Sequence, residues 1–314
     1  MSTATETGTA EVGRVPPGPH RLTAREWLDV IRRTAKEFLA DDAMGLSQQI
    51  AFSSLLAFFP SLVLLVGLLG LIDAYDALEE FLGPVAPGAV LDLIETTQQS
   101  ASSGGTSLAA FLFGAAGAVW AASGAMNAII KSINRAYERT ETRPFWKVRL
   151  TAIVLVVASG LMLAALLLVI VVGGPLGEAI AAHAGLGGAF EWVWNLVRWP
   201  LAFTGILLFL ALVYYLAPDE DVRNWRWVSP GSLVGGVMWL ALSGLFALYT
   251  GFSNSYDKTY GTLAGGIILL LWLNYSAFAL LFGAELNAEL GRQADIRAAG
   301  GPQAGLVKPA RRTR

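Results

Sequence analysis

Residues 261–285 read GTLAGGIILLLWLNYSAFALLFGAE, a run with one charged side chain, Glu285, at its end. A helix rises about 1.5 Å per residue, so this run outreaches a hydrocarbon core of about 30 Å, which needs about 20 residues. Five similar runs precede it, at 46–72, 106–130, 149–173, 199–217 and 228–252. The expected fold is all-α, a polytopic membrane protein with six transmembrane helices. Composition agrees: 54% of residues are hydrophobic and 15% charged, against about 25% charged in soluble domains.

Loop charge sets the expected orientation, because Lys and Arg stay on the cytoplasmic side. Six bases precede Gly45 (Arg14, Arg21, Arg25, Arg32, Arg33, Lys36), six lie between Lys131 and Arg149, two are Arg223 and Arg226, and six lie between Arg292 and Arg314. The other side holds only Arg198 and Lys258. Both termini are therefore expected in the cytoplasm, and lipids are the expected partners. The expected parts are a disordered tail at 1–21, an amphipathic interfacial helix at 22–45, the membrane domain at 46–290 and a second disordered tail at 291–314.

Within the first of these helices, Thr23 and Glu26 form a capping-box pattern, so helix should begin near Ala24. Trp27, Val30, Ile31, Thr34 and Phe38 share one face, which either lies in the inner interface or packs under the bundle. The 33-residue outer loop Asp73–Gly105 is too long for a bare turn. Its Tyr75, Leu78 and Leu82, and after Pro87 its Val90, Leu93, Ile94 and Thr97, predict two short helices that act as a lid or a gate.

Small residues let membrane helices approach closely. They recur as Ala110, Gly114, Ala118 and Ala122, as Gly231 and Gly235, as Ser243, Ala247 and Gly251, and as Gly261 and Gly265, which places spans two, five and six at the bundle centre. The same seams would serve a homo-oligomer. Pro60 lies inside the first span, where it removes a backbone donor and predicts a kink or hinge.

Ionisable and amide side chains in spans are costly in lipid and mark candidate paths. Ser123, Asn127, Lys131, Asn134 and Glu138 fall on one helical stripe, and Tyr260, Asn274, Glu285 and Glu289 share a face of the last span. Glu285 is expected near a helix end, where an anion opposes the dipole. Its expected partner is Lys131 or one of Arg139, Arg143 and Lys147, with interfacial snorkelling as the alternative. On the outer side Glu191, Asn195 and Arg198 align beside Trp192, Trp194 and Trp199, an aromatic belt. Pro200 is then expected in the first turn of the fourth span.

The stretches IAFSSLLAFFPSLVLL (50–65), SGAMNAIIKSINRAYE (123–138), RPFWKVRL (143–150) and GTLAGGIILLLWLNYSAFALLFGAELNAEL (261–290) resemble the YihY/BrkB family of bacterial inner-membrane proteins. The resemblance spans about residues 30–290. It implies six helices and a role in envelope transport or lipid handling. It also singles out Pro60, Ser123, Gly124, Asn134, Tyr137, Arg143, Pro144, Phe145, Tyr260, Gly261, Gly283, Glu285 and Asn287, without catalytic roles to carry over.

Enzyme chemistry is poorly supplied. There is no cysteine, His20 and His183 stand 163 residues apart, and no Walker loop occurs. Asp219, Glu220 and Asp221 read as an acidic turn rather than a metal site, so neither metal nor cofactor is expected. A net charge of −2 gives no reason to expect a nucleic-acid partner. A transporter or lipid translocase without its own ATPase leads, a membrane scaffold or partner-binding subunit is the alternative, and a ribonuclease fits worst.

Overall fold

A computed structural model of the chain describes residues 23–70, 108–167, 187–219, 229–252 and 263–298, with residue 183. The first expected tail, residues 299–314 of the second, the two expected outer-loop helices, Tyr260 and Gly261 lie outside the described residues, whereas residues 291–298, expected as disordered tail, are the last two turns of a helix. Those described form seven helices: α1 (Ala24–Ala40), α2 (Ala43–Gly70), α3 (Leu108–Ala136), α4 (Phe145–Leu167), α5 (Gly187–Leu216), α6 (Pro230–Phe252) and α7 (Leu263–Ala298). Four runs in them are long and apolar enough to cross a membrane: Phe145–Leu166, Trp192–Leu216, Pro230–Tyr249 and Gly265–Gln293. This is an all-α, multi-span membrane protein. Its outer surface suits lipid: Leu150, Val154, Val157 and Leu161 on α4, and Leu233, Val237, Leu240 and Leu248 on α6, are all exposed.

α1 begins where the sequence places it, with the Thr23 hydroxyl and the Glu26 carboxylate satisfying each other's backbone N–H. Its buried face is Val30, Thr34 and Phe38, and Phe38 stacks against Phe278 at 4.6 Å and Phe282 at 5.7 Å. Of the two expectations for α1, packing against the bundle is the one observed. Asp42, at φ 54°, turns the chain into α2, using the left-handed region that Asp tolerates better than most residues. Pro60 lies in the interior of α2, which is helical on both sides of it.

α7 is the hub. It packs along α6 and α2, takes α1 at one end, and touches α3 lightly, while α3 rests mainly on α2 and α4. The expected centre of spans two, five and six is therefore only half right. The reason is local: a Cβ on Gly114 would meet nothing within 4 Å, whereas one on Gly231 would strike the Gly283 carbonyl oxygen and come within 2.6 Å of Asn287 Oδ1. A Cβ on Gly235 would sit 3.1 Å from both the Ala279 carbonyl oxygen and the Tyr214 hydroxyl. The fifth-span glycines mark a true backbone contact and the second-span glycine does not. Gly265, on α7, is half-buried.

Two helix boundaries also differ from expectation. α5 starts at Gly187, so Pro200 is interior rather than in a first turn; nothing after Gly187 and Gly188 breaks the helix, and membrane helices tolerate an interior proline. α7 continues to Ala298, which leaves Glu285 more than three turns from the end, where the dipole argument fails.

Gly231→Ala should destabilise the fold by about 1–3 kcal/mol, because the nearest obstructing atom is the Gly283 backbone carbonyl, which cannot swing aside. Gly117→Ala, where a Cβ would meet nothing within 4 Å, should leave the melting temperature in detergent unchanged or raise it. Equal melting of Gly231→Ala and wild type would contradict the contact.

Candidate functional site

The charged and amide groups gather at one end of the bundle, here called the basic end, in three linked networks. In the first, Asn134 is buried at the last turn of α3 and faces two ways: its Nδ2 donates to Glu141 at 2.8 Å and its Oδ1 accepts from the Asp219 amide at 2.8 Å. Arg143 donates to both Glu141 carboxylate oxygens at 2.7 Å and to the Ala217 carbonyl at 2.9 Å, closing the C-terminus of α5. Such carbonyls have no intrahelical partner, and a cation there suits the dipole. Asp219 accepts from the Thr142 amide and hydroxyl at 2.7 and 2.6 Å. Pro144 precedes α4, and its carbonyl accepts from the Lys147 amide at 2.9 Å. Phe145 and Trp146 open the helix exposed.

The second network joins α5, α6 and α7. Ser229 and Ser232 cap each other at the start of α6, with Pro230 at the first helical position, where a missing N–H costs nothing. Asn287 reaches across from α7, accepting from the Gly231 amide at 2.9 Å and donating to the Ser229 hydroxyl at 2.9 Å. The Tyr214 hydroxyl donates to the Leu280 carbonyl at 2.7 Å and lies against Gly283. A side chain at 283 would displace it. Higher in the same pair, the Trp239 indole donates to Ser276 at 3.0 Å and the Trp272 indole to Ser243 at 3.2 Å.

The third network fixes α1 and the end of α3 to α7. Glu289, only 3% exposed, accepts from Arg33 at 2.8 Å and from Arg292 at 2.9 Å, and Arg33 also reaches Gln293 at 2.6 Å. Arg135 pairs with Asp41 at 3.5 Å, and Arg292 lies 3.9 Å from Glu138.

Glu285 sits among these networks without joining them. It is 2% exposed, and none of the ion pairs or hydrogen bonds among the described residues involves it. The expected link to Lys131, Arg139, Arg143 or Lys147 is not formed. Lys131 points to the surface, and Arg143 is occupied by Glu141, with Asp219 at 3.7 Å. The charges that act on Glu285 are acidic: Asp41, Glu289, Glu37 and Glu138. Asn274, eleven residues earlier on the same face of α7, has a buried Oδ1 without a partner, and so does the hydroxyl of Thr34, which is 0% exposed.

The predicted α3 stripe divides. Ser123 and Asn134 are buried, with the Ser123 hydroxyl on the Trp120 carbonyl at 2.7 Å, whereas Asn127 and Lys131 are exposed. Glu138 has left the helix, at φ 51°. Helical periodicity overstated the stripe because α3 stops at Ala136 and because its neighbours cover only one edge of it. Tyr137, just past that end, packs half-buried on the core. The side chains of Glu191 and Asn195 lie outside the described residues. Arg198 stands 5.6 Å from the Trp199 ring. Sequence reasoning missed Tyr214 and Glu141, which carry no periodic signal, placed Thr34 on the buried face of α1 without a polar role, and counted Arg149 only as topogenic charge.

The sequence profile of the family described as "Virulence factor BrkB" matches residues 34–306. The chain belongs to that family. Relatives include YfkH of Bacillus subtilis (strain 168), whose name calls it ribonuclease-like, 29% identical over 272 residues that cover 85% of this chain and 96% of YfkH. A UPF0761 membrane protein of Chromohalobacter salexigens is 26% identical over 292 residues, covering 87% of this chain and 67% of that protein. One from Xanthomonas campestris (strain B100) is 25% identical over 293 residues, and the chain spans 64% of its length. No solved structure matches. Of the family positions inferred from sequence, Asn134 and Arg143 build the first network, Gly283 and Asn287 the second, and Glu285 the unpaired centre. No group of three or more His, Asp or Glu that could hold a metal occurs among the described residues.

Arg143, chiefly through its hydrogen bonds, holds the Glu141 carboxyl below its ordinary value of 4.5. A carboxylate whose folded pKa is depressed adds stability above its unfolded value, and that stability is lost as pH falls through the lower folded one. Melting temperature should therefore fall on acidification below about pH 4.5, and Arg143→Gln should lower it near neutrality while flattening that acid limb. An acid limb of unchanged steepness in Arg143→Gln would show that the pair is not its source.

Proposed function

We propose that this BrkB-family protein moves a polar or lipid solute through the bacterial inner membrane without an ATPase of its own. In this reading α2 to α7 make six crossings, the basic end and both termini face the cytoplasm, and the Asn274–Glu285 face of α7 is the path. The supporting observation is Glu285: a buried carboxyl without ion pair or hydrogen bond among the described residues, three turns from Asn274 Oδ1, which likewise lacks a partner there. An unpaired acid inside a membrane helix costs at least about 2.5 kcal/mol. A protein selected for stability alone gains by replacing it. The networks around Arg143, Asn287 and Glu289 hold the cytoplasmic mouth closed in this conformation, so solute passage requires them to part.

A second reading, a scaffold or partner-binding subunit, draws on the open face of α3, where Cβ atoms at Gly114, Gly117 and Gly124 would meet nothing within 4 Å. Close approach of another helix would use such a face. The ribonuclease-like name of YfkH is not carried over: RNA hydrolysis needs a positioned acid and base or a metal-bound water, and the histidines here, His20 and His183, lie 163 residues apart.

In a deletion strain, Glu285→Gln should be made at wild-type level yet lower solute uptake or lipid redistribution by about tenfold or more, the rate equivalent of about 1.4 kcal/mol. Lipidomics and metabolite uptake read this out, with Asn274→Ala as the milder companion. Full complementation by both variants would remove α7 as the path. A stable oligomer lost in Gly117→Leu, with both α7 variants active, would favour the scaffold.

A further inference from the structure

Where α3 and α4 pack together, Arg149 places a half-buried cation beside an exposed tryptophan. Arg149 is the fifth residue of α4, inside the run Phe145–Leu166 that is apolar enough to cross a membrane. Its guanidinium lies 3.7 Å from the centre of the Trp120 ring, and Nη2 donates to the Trp120 carbonyl at 2.9 Å. That carbonyl and that ring are its only partners among the described residues, no carboxylate pairs with it, and Nε has none. A guanidinium carries five N–H donors; with one satisfied and Nε buried, the remaining N–H groups on the two Nη atoms are open.

The surroundings extend outward from it. Trp120, Gly124, Asn127 and Lys131 fall within about 60° on α3 and descend about 16 Å along the helix. Trp120, Asn127 and Lys131 are exposed, and a Cβ on Gly124 would meet nothing within 4 Å. Trp146 and Lys147 flank the start of α4, with the Lys147 ammonium 5.4 Å from the Trp146 ring. α4 has no acid in its first turn, so two bases sit at the positive end of its dipole, an arrangement that an external anion relieves.

We propose that this face binds the phosphate of an anionic phospholipid from the cytoplasmic leaflet, with Arg149 as its principal donor, Asn127 and Lys131 below it, and Trp120 as the wall for glycerol and acyl carbons. A membrane lipid is the occupant because the cation lies among residues that face hydrocarbon, where a free phosphate would shed its hydration without compensation. Binding here is independent of whether any solute crosses along α7, and the test reads retention rather than transport.

Native mass spectrometry of the detergent-solubilised full chain, incubated with phosphatidylglycerol or phosphatidylcholine of identical acyl chains, tests it. Wild type should retain phosphatidylglycerol in preference. Arg149→Gln should lower that preference by about fivefold and Lys131→Gln by less, in keeping with the worth of one base near anionic lipid. Arg149→Lys should restore part of it, and soluble glycerol phosphate should not displace the lipid. Equal retention of both lipids by wild type, an undiminished preference in folded Arg149→Gln, or displacement by glycerol phosphate overturns the assignment. If Arg149→Gln does not fold, Lys131→Gln and Asn127→Leu, both at exposed positions, carry the same test. An unchanged preference in the pair overturns it equally.

Discussion

Two backbones meet at Gly231 and Gly283 with no side chain between them, and the rest of the basic end depends on that contact. Because α6 and α7 touch there, the Asn287 amide can reach the first N–H of α6, and the Tyr214 hydroxyl can reach the carbonyl of Leu280. In lipid, polar backbone groups cannot be left to solvent. The close approach thus brings a helix start, a helix side and an amide together so that each satisfies another. A larger residue at either glycine would part the helices and strand several donors at once. The register of α7, and with it the depth of Glu285, is set by this joint.

Much of the fold was legible because lipid imposes a simple rule. A run such as 261–285 has no soluble explanation, and the helices observed over 43–70, 108–136 and 230–252 follow the apolar pattern to within a few residues. The capping box of Thr23 and Glu26 was equally plain, since its two bonds are local. What misled were the boundaries. Apolarity stops at Glu285 although helix does not: Leu286, Asn287, Ala288 and Glu289 continue α7 because α1, α6 and the end of α3 supply partners for them. Arg33 is 256 residues from Glu289 in sequence, and no local pattern announces such a pairing.

The candidate site was legible in its members and illegible in its arrangement. Asn134, Arg143, Glu285 and Asn287 were all singled out, but a helical wheel assigned Asn134 to a stripe with Asn127 and Lys131, while packing sends the first inward and the other two outward. Helical spacing gives angles about an axis. It does not say which arc a neighbour covers. The same limit hid Arg149, whose sequence signal, one base among six near a span, is that of an ordinary topogenic residue; only its distance from Trp120 and the lack of a carboxylate set it apart.

The unmatched groups are informative because one is an acid and the other a base. An acid and a base that meet in a low-dielectric medium recover part of their desolvation cost. Here the acid is buried among other acids, while the half-buried base lies over an exposed tryptophan. Elsewhere at the basic end the chain pairs its charges closely, at Arg33–Glu289 and Arg143–Glu141, with contacts of 2.8 and 2.7 Å. A sequence that matches those pairs while holding Glu285 and Arg149 apart keeps an acid and a base unpaired among the described residues, one in the bundle interior and one over Trp120. Packing accounts for the matched pairs and does not account for that separation.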